Sequence, residues 1–133
     1  MIANIYKPVQ WTSFDVVKKI RNISKEKKVG HAGTLDPFAE GVLVIGTGKD
    51  TKSLTKISGT DKTYEAVLKL GSATDTMDSE GTTTEVDPIP EITENEINQI
   101  FSKFVGNLEQ IPPMYSAKKV NGIRPYKLAR KNQ

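Results

Sequence analysis

Residues 29–49 read VGHAGTLDPFAEGVLVIGTGK. The second half of this stretch, residues 42–45, is an unbroken apolar run bounded by Gly41 and Gly46. That is the pattern of a strand buried on both faces. The first half sets Gly30, Gly33 and Gly41 around His31, Thr34 and Asp36, with Pro37 fixing the chain after the acid. Glycines so placed let the backbone take positive φ or approach a ligand closely. Leu35 and Phe38 flank Asp36 with apolar bulk, and a carboxylate hemmed in this way is a candidate nucleophile or base. The dipeptide Asp36-Pro37 is also an ordinary helix start, with an N-cap acid and proline at the first helical position. Gly46-Thr47-Gly48-Lys49 is not a P-loop, which needs glycine where Leu43 stands and Ser or Thr where Asp50 stands.

Outward from this stretch the periodicity predicts a short strand over residues 2–6, closed by Pro8. Thr12 then opens an N-cap with Asp15 three residues on. Val16, Val17, Ile20 and Ile23 recur at helical spacing, predicting a helix over 13–25 whose opposite face is basic. C-terminal to the loop, residues 51–57 predict a short helix. Over 62–70 the period changes to two, with Tyr64, Ala66, Leu68 and Leu70 on one face, which predicts a half-exposed strand. Residues 72–90 read as an acidic, threonine-rich loop whose spacing does not fit an EF-hand. Thr93 and Glu96 form a capping box ahead of Ile97, Ile100, Phe101, Phe104 and Val105, and Gly106 closes that helix. A hairpin through Asn121-Gly122 and a helix over 126–131 complete the reading.

The 133 residues suffice for one small domain. With no cysteine, disulfides, thiol catalysis and Cys-ligated zinc are excluded, and with His31 the single histidine a His-based metal site is not expected. There is no signal peptide pattern and no long apolar run, so the expected location is cytoplasmic, without a membrane partner. The net charge of +3 is unevenly distributed. Lys18, Lys19, Arg21, Lys25, Lys27 and Lys28 run into the glycine loop, Lys118, Lys119, Arg124, Lys127, Arg130 and Lys131 gather near the end, and the middle is acidic. Segregated basic patches suit a polyphosphate partner.

GHAGTLDPFAEGVL resembles the catalytic motif of the TruB-type pseudouridine synthases, which isomerise a uridine in the T-arm of tRNA. KPVQWTSFDVV resembles the family's N-terminal motif, DKTYEAVLKLGSATDTMDSEG its tyrosine-bearing segment and IPPMYSAKKVNGIRPYKLAR a later segment, all in the family's order. Gln10 stands where the family usually has glycine. The resemblance implies an α+β fold, a mixed and largely antiparallel sheet with helices packed on it. It also implies that residues 1–133 are the N-terminal portion of a catalytic domain. The family's later strand, which carries an arginine partner for the aspartate, has no counterpart before Gln133, and neither has its C-terminal RNA-binding domain. The expected partners are therefore a tRNA T-arm stem-loop and a missing C-terminal half.

Pseudouridine formation cuts the N1–C1′ bond, turns the base and rejoins it through C5, which calls for no metal and no cofactor. A carboxylate suffices, either attacking the sugar or stabilising the species left behind. By resemblance Asp36 is the catalytic acid and Tyr64 stacks on the flipped uracil, while His31 fills the place the base has left. Lys7, Thr34, Lys28 and Lys118 are expected RNA contacts, Lys7 by holding a phosphate. Two alternatives stand beside this reading: a truncated chain that binds RNA without turnover, and an RNA-guided synthase of the same superfamily.

Overall fold

In the computed structural model, β3 (Gly41–Thr47) is the middle strand of a three-stranded antiparallel sheet, between β1 (Ile2–Lys7) and β2 (Val29–Ala32). The structure describes residues 1–110. Leu43 and Ile45 of β3 are each 1% exposed, but Val42 is 66% exposed, so the apolar run forms a strand that is not buried on both faces as predicted. Leu43 and Ile45 pack with Val29 against Val16 and Val17 of helix α1 (Ser13–Ser24), and Ile5, Ile20 and Leu35 close the rim of this core. Each fully buried aliphatic side chain of this kind contributes about 1.5–3 kcal/mol. The start of α1 is fixed by the predicted capping box: the Thr12 hydroxyl accepts from the Asp15 N–H, and the Asp15 carboxylate accepts from the Thr12 N–H at 2.9 Å.

β2 is a strand where the sequence predicts only a glycine-punctuated loop. Its register sets Gly30 opposite Gly46 of β3. A 3-10 turn over Gly48–Ser53 leads into the short helix α2 (Leu54–Ser58), whose Leu54 lies over that pair. A Cβ at Gly30 would sit 3.2 Å from Leu54 Cδ1, and one at Gly46 would sit 3.0–3.1 Å from three Leu54 carbons. Both glycines therefore make room for a core leucine rather than for a ligand. Since Leu43 and Ile45 alternate with Val44 and Gly46, Leu54 covers the sheet face opposite α1.

The strand expected over residues 62–70 does not form; every residue in it is exposed, with Val67 at 97% and Leu68 at 77%. Alternation alone does not make a strand, because each strand needs a hydrogen-bonded neighbour, and no strand among the described residues pairs with this one.

The chain divides into two compact units, the first Met1–Ala66. In the second, the predicted loop contains a hairpin of β4 (Ser72–Thr74) and β5 (Thr83–Val86), with a register shift after Ala73. Its turn is built from the acidic and threonine side chains. Asp78 Oδ1 accepts from Thr76 Oγ1 at 2.6 Å and from the Glu80 N–H at 2.9 Å, and Asp75 Oδ1 accepts from the Thr82 N–H at 2.8 Å. Helix α3 (Glu94–Ser102) starts at the expected Thr93–Glu96 box. It ends before Phe104, and Ile100 and Phe101 are 49% and 60% exposed. The predicted hairpin at Asn121-Gly122, the helix over 126–131 and Lys118 lie outside the described residues.

Candidate active site

Asp36 sits in a tight turn rather than at a helix start. The Ala39 N–H donates to the Asp36 carbonyl at 3.1 Å and no helix follows. Proline at the second position of such a turn has its φ already set. Two clamps hold this turn, one on each side of the acid.

The first clamp comes from Ser13, the first residue of α1. Its hydroxyl accepts from the Leu35 N–H at 2.9 Å and donates to the Leu35 carbonyl at 3.1 Å. Ser13 is 4% exposed, so both peptide groups of Leu35 are satisfied away from water by one side chain.

The second clamp comes from β1. Lys7 Nζ donates to the carbonyls of Pro8 at 3.0 Å, Trp11 at 2.6 Å and Pro37 at 3.4 Å. The same Pro37 carbonyl accepts from the Gln10 N–H at 2.8 Å. Lys7 is fully buried, and a buried ammonium is tolerable because its donors are taken up by carbonyl oxygens. The expected phosphate contact of Lys7 is thereby corrected: its donors point to the protein's own backbone and it has no surface to offer RNA. Gln10 pays for its place with a φ of 66°, in the left-handed region, which costs a non-glycine residue about 1–2 kcal/mol.

The acid itself is not hemmed in. Leu35 packs against the core, while Asp36 is exposed and Phe38 is 39% exposed. The apolar neighbours serve to turn the carboxylate outward. Among the described residues no ion pair reaches Asp36, the one salt bridge being that of the Met1 ammonium with Asp50.

His31 lies on β2 opposite Ile45, and its Nδ1 faces the Gly33 carbonyl. A carbonyl can only accept, so Nδ1 carries the proton; Nε2 is left for another partner. Thr34 is exposed within the same loop. Lys28 is exposed just before β2, and its carbonyl accepts from the Gly48 N–H at 2.8 Å. Tyr64, 68% exposed, lies on the stretch that forms no strand, and no hydrogen bond joins it to the Asp36 turn. Thr34 and Asp36 thus lie on the loop that follows β2, with His31 on that strand and Lys28 just before it. Among the described residues no group of His, Asp and Glu is disposed to hold a metal ion. Sequence reasoning treated Thr12-Ser13 only as a helix cap and missed the bond from Ser13 to Leu35; the one signal was a second hydroxyl immediately after the cap.

Asp36 is thus a solvent-facing carboxylate on a turn whose neighbouring peptide groups are tied to α1 and β1. Comparison with known proteins gives this site its family. Residues 21–133 match the family described as TruB family pseudouridylate synthase (N terminal domain). The chain belongs to the TruB family of pseudouridylate synthases. It is 47% identical over 133 residues to tRNA pseudouridine synthase B of Lactococcus lactis subsp. lactis, covering 99% of this chain and 40% of that protein. It is 52% identical over 129 residues to tRNA pseudouridine synthase B of Clostridium acetobutylicum, covering 97% of this chain and 44% of that protein. A chain in a solved structure described as a Cbf5-Nop10-Gar1 complex superposes with a TM-score of 0.59 at 28% identity, over 89% of this chain and 30% of that one. The mixed α+β architecture agrees with an incomplete pseudouridine synthase fold. The chain spans less than half the length of these curated relatives.

Proposed function

We propose that this chain is the N-terminal portion of the catalytic domain of a synthase that converts a uridine in the T-arm of tRNA to pseudouridine. The observation that carries this is the doubly clamped turn, which holds Asp36 between the Ser13–Leu35 and Lys7–Pro37 bonds. A nucleophile set this way on a fixed backbone reacts without first being ordered. In the proposed reaction the Asp36 carboxylate attacks C1′ and the uracil leaves with the N1–C1′ electron pair. The base then turns, C5 bonds to C1′ as the carboxylate departs, and the proton lost from C5 is matched by one gained at N1.

The uridine has to leave its stack for this, at a cost of a few kcal/mol. Tyr64, with an exposed ring, is the aromatic proposed to receive it, returning about 1–3 kcal/mol by stacking. His31 occupies the position that the base leaves. Thr34 and the lysines Lys28 and Lys118 contact the RNA backbone, while Lys7 acts on the protein side by fixing the turn. Because no cation among the described residues reaches Asp36, the groups that orient its carboxylate are assigned to the remainder of the catalytic fold. The chain by itself then binds RNA without turnover.

The experiment incubates a T-arm stem-loop RNA with the purified chain, and separately with the chain joined to the C-terminal remainder of the Lactococcus lactis relative. Carbodiimide labelling and primer extension read the product. Pseudouridine is expected from the joined protein only. Absence of product from both overturns the proposed activity; multiple turnovers by the chain alone overturn the assignment of essential groups to the remainder.

A further inference from the structure

Beside the Asp36 turn, Gln10, Trp11, Asp15, Lys18, Lys19 and Asn22 line an open hollow of about 380 Å³. None of the roles assigned above uses it. The hollow begins at the active turn, because the Gln10 N–H that donates to the Pro37 carbonyl at 2.8 Å belongs to one of its lining residues. The Trp11 backbone is held, its carbonyl accepting from the buried Lys7 Nζ at 2.6 Å, while Trp11 is 39% exposed.

Gln10 provides an independent observation. At a φ of 66° glycine is the relaxed residue, and a side chain kept in such a conformation points to a role for that side chain. The electrostatics are cationic. The Asp15 carboxylate is occupied by the Thr12 N–H and hydroxyl, and the bond from that hydroxyl, its largest influence, holds its pKa below the usual carboxylate value. Against this one anion stand the exposed ammonium groups of Lys18 and Lys19. An aromatic face, two carboxamides and a surplus of positive charge suit a nucleotide, whose base has a stackable face and polar edge and whose phosphate is anionic.

We propose that this hollow binds an unpaired nucleotide of the RNA substrate, distinct from the uridine at Asp36. The base stacks on Trp11, the amides of Gln10 and Asn22 meet its edge, and Lys18 and Lys19 take the adjoining phosphates. This rests on the RNA-substrate reading above and adds to it a second anchoring point next to the reacting one.

Trp11 is the only tryptophan of the chain, so its emission reports on the hollow directly. Titration of the chain with a T-arm stem-loop RNA is expected to quench that emission saturably, whereas a blunt RNA duplex of equal length and polyglutamate leave it unchanged. Trp11→Leu should weaken stem-loop binding by roughly 5- to 100-fold. Gln10→Gly should weaken it several-fold while raising the melting temperature. Lys18→Ala and Lys19→Ala, on exposed helix surface, should each reduce the slope of log K against log salt by about 1; they keep the test readable if the tryptophan variant folds poorly. Stem-loop binding with unmoved emission and unchanged affinity in these variants overturns the hollow and leaves the synthase reading standing. Quenching by the duplex overturns the unpaired nucleotide, and quenching by polyglutamate points instead to an acidic polypeptide. If no RNA binds at any salt concentration, the substrate reading fails together with the hollow.

Discussion

Lys7 Nζ reaches the carbonyl oxygen of Pro37 at 3.4 Å from a fully buried position. A strand residue at one end of the chain thus holds the peptide next to the proposed nucleophile. Lys7→Met keeps the apolar stem and removes the donors to the carbonyls of Pro8, Trp11 and Pro37, of which only Pro37 keeps another donor, the Gln10 N–H. An orphaned buried polar group costs about 1–3 kcal/mol, so a clear loss of stability in urea titration is expected. Activity per folded molecule of the joined protein should fall as well. A variant as stable as the parent would show that the ammonium is dispensable.

Ser13→Ala tests the clamp on the other side. The Leu35 N–H and carbonyl both lose their partner, and amide exchange at Leu35 should accelerate. In the joined protein kcat should drop by about 10-fold or more, since small misplacements of a reacting group are costly, with little change in KM. Ser13→Thr, which restores the hydroxyl, should recover most of the loss. Equal kcat in all three proteins would confine Ser13 to a stabilising role.

Much of this framework was legible beforehand. The apolar run of β3, the period of α1 and the two capping boxes at Thr12 and Thr93 each carry their own physical signal and each element forms, although β3 leaves Val42 exposed where burial on both faces was predicted. β2 was hidden because Gly30, His31 and Ala32 have little strand preference; it is held by pairing with β3. The tyrosine stretch misled in the opposite way, as its alternation promised a strand that finds no neighbour among the described residues. The environment of the candidate site residues was not legible. Asp36 reads as buried from its neighbours and is exposed, whereas Lys7 reads as a surface cation and is buried. Side-chain direction is set by the core that Leu35 and Lys7 enter, and a local window does not contain that core.

Gly46→Ala should destabilise the sheet by about 1–3 kcal/mol, because a Cβ there would stand 3.0 Å from Leu54 Cγ. Leu54→Ala alone loses a buried side chain and should cost about 2–5 kcal/mol. If the two glycines exist to admit Leu54, the double variant will cost less than the two separate losses combined. Strict additivity in a urea double-mutant cycle would contradict that account of Gly46.

Tyr64→Leu separates stacking from packing. With 68% of Tyr64 exposed, the melting temperature of the chain should scarcely change. Turnover by the joined protein should fall far more than its affinity for unreacted stem-loop RNA. A lowered melting temperature with unaltered turnover per folded molecule would make Tyr64 a structural residue.

The central claim is that Asp36 performs the chemistry from a turn the protein holds rigid. Asp36→Asn preserves the shape of the side chain and removes its charge, and the Ser13 and Lys7 bonds run to backbone atoms it does not alter. The most direct measurement is pseudouridine formation in a T-arm stem-loop by the joined protein carrying this one substitution, with RNA affinity measured on the same sample. The expected result is retained binding with no detectable product. Product formed at close to the parent rate would contradict the account.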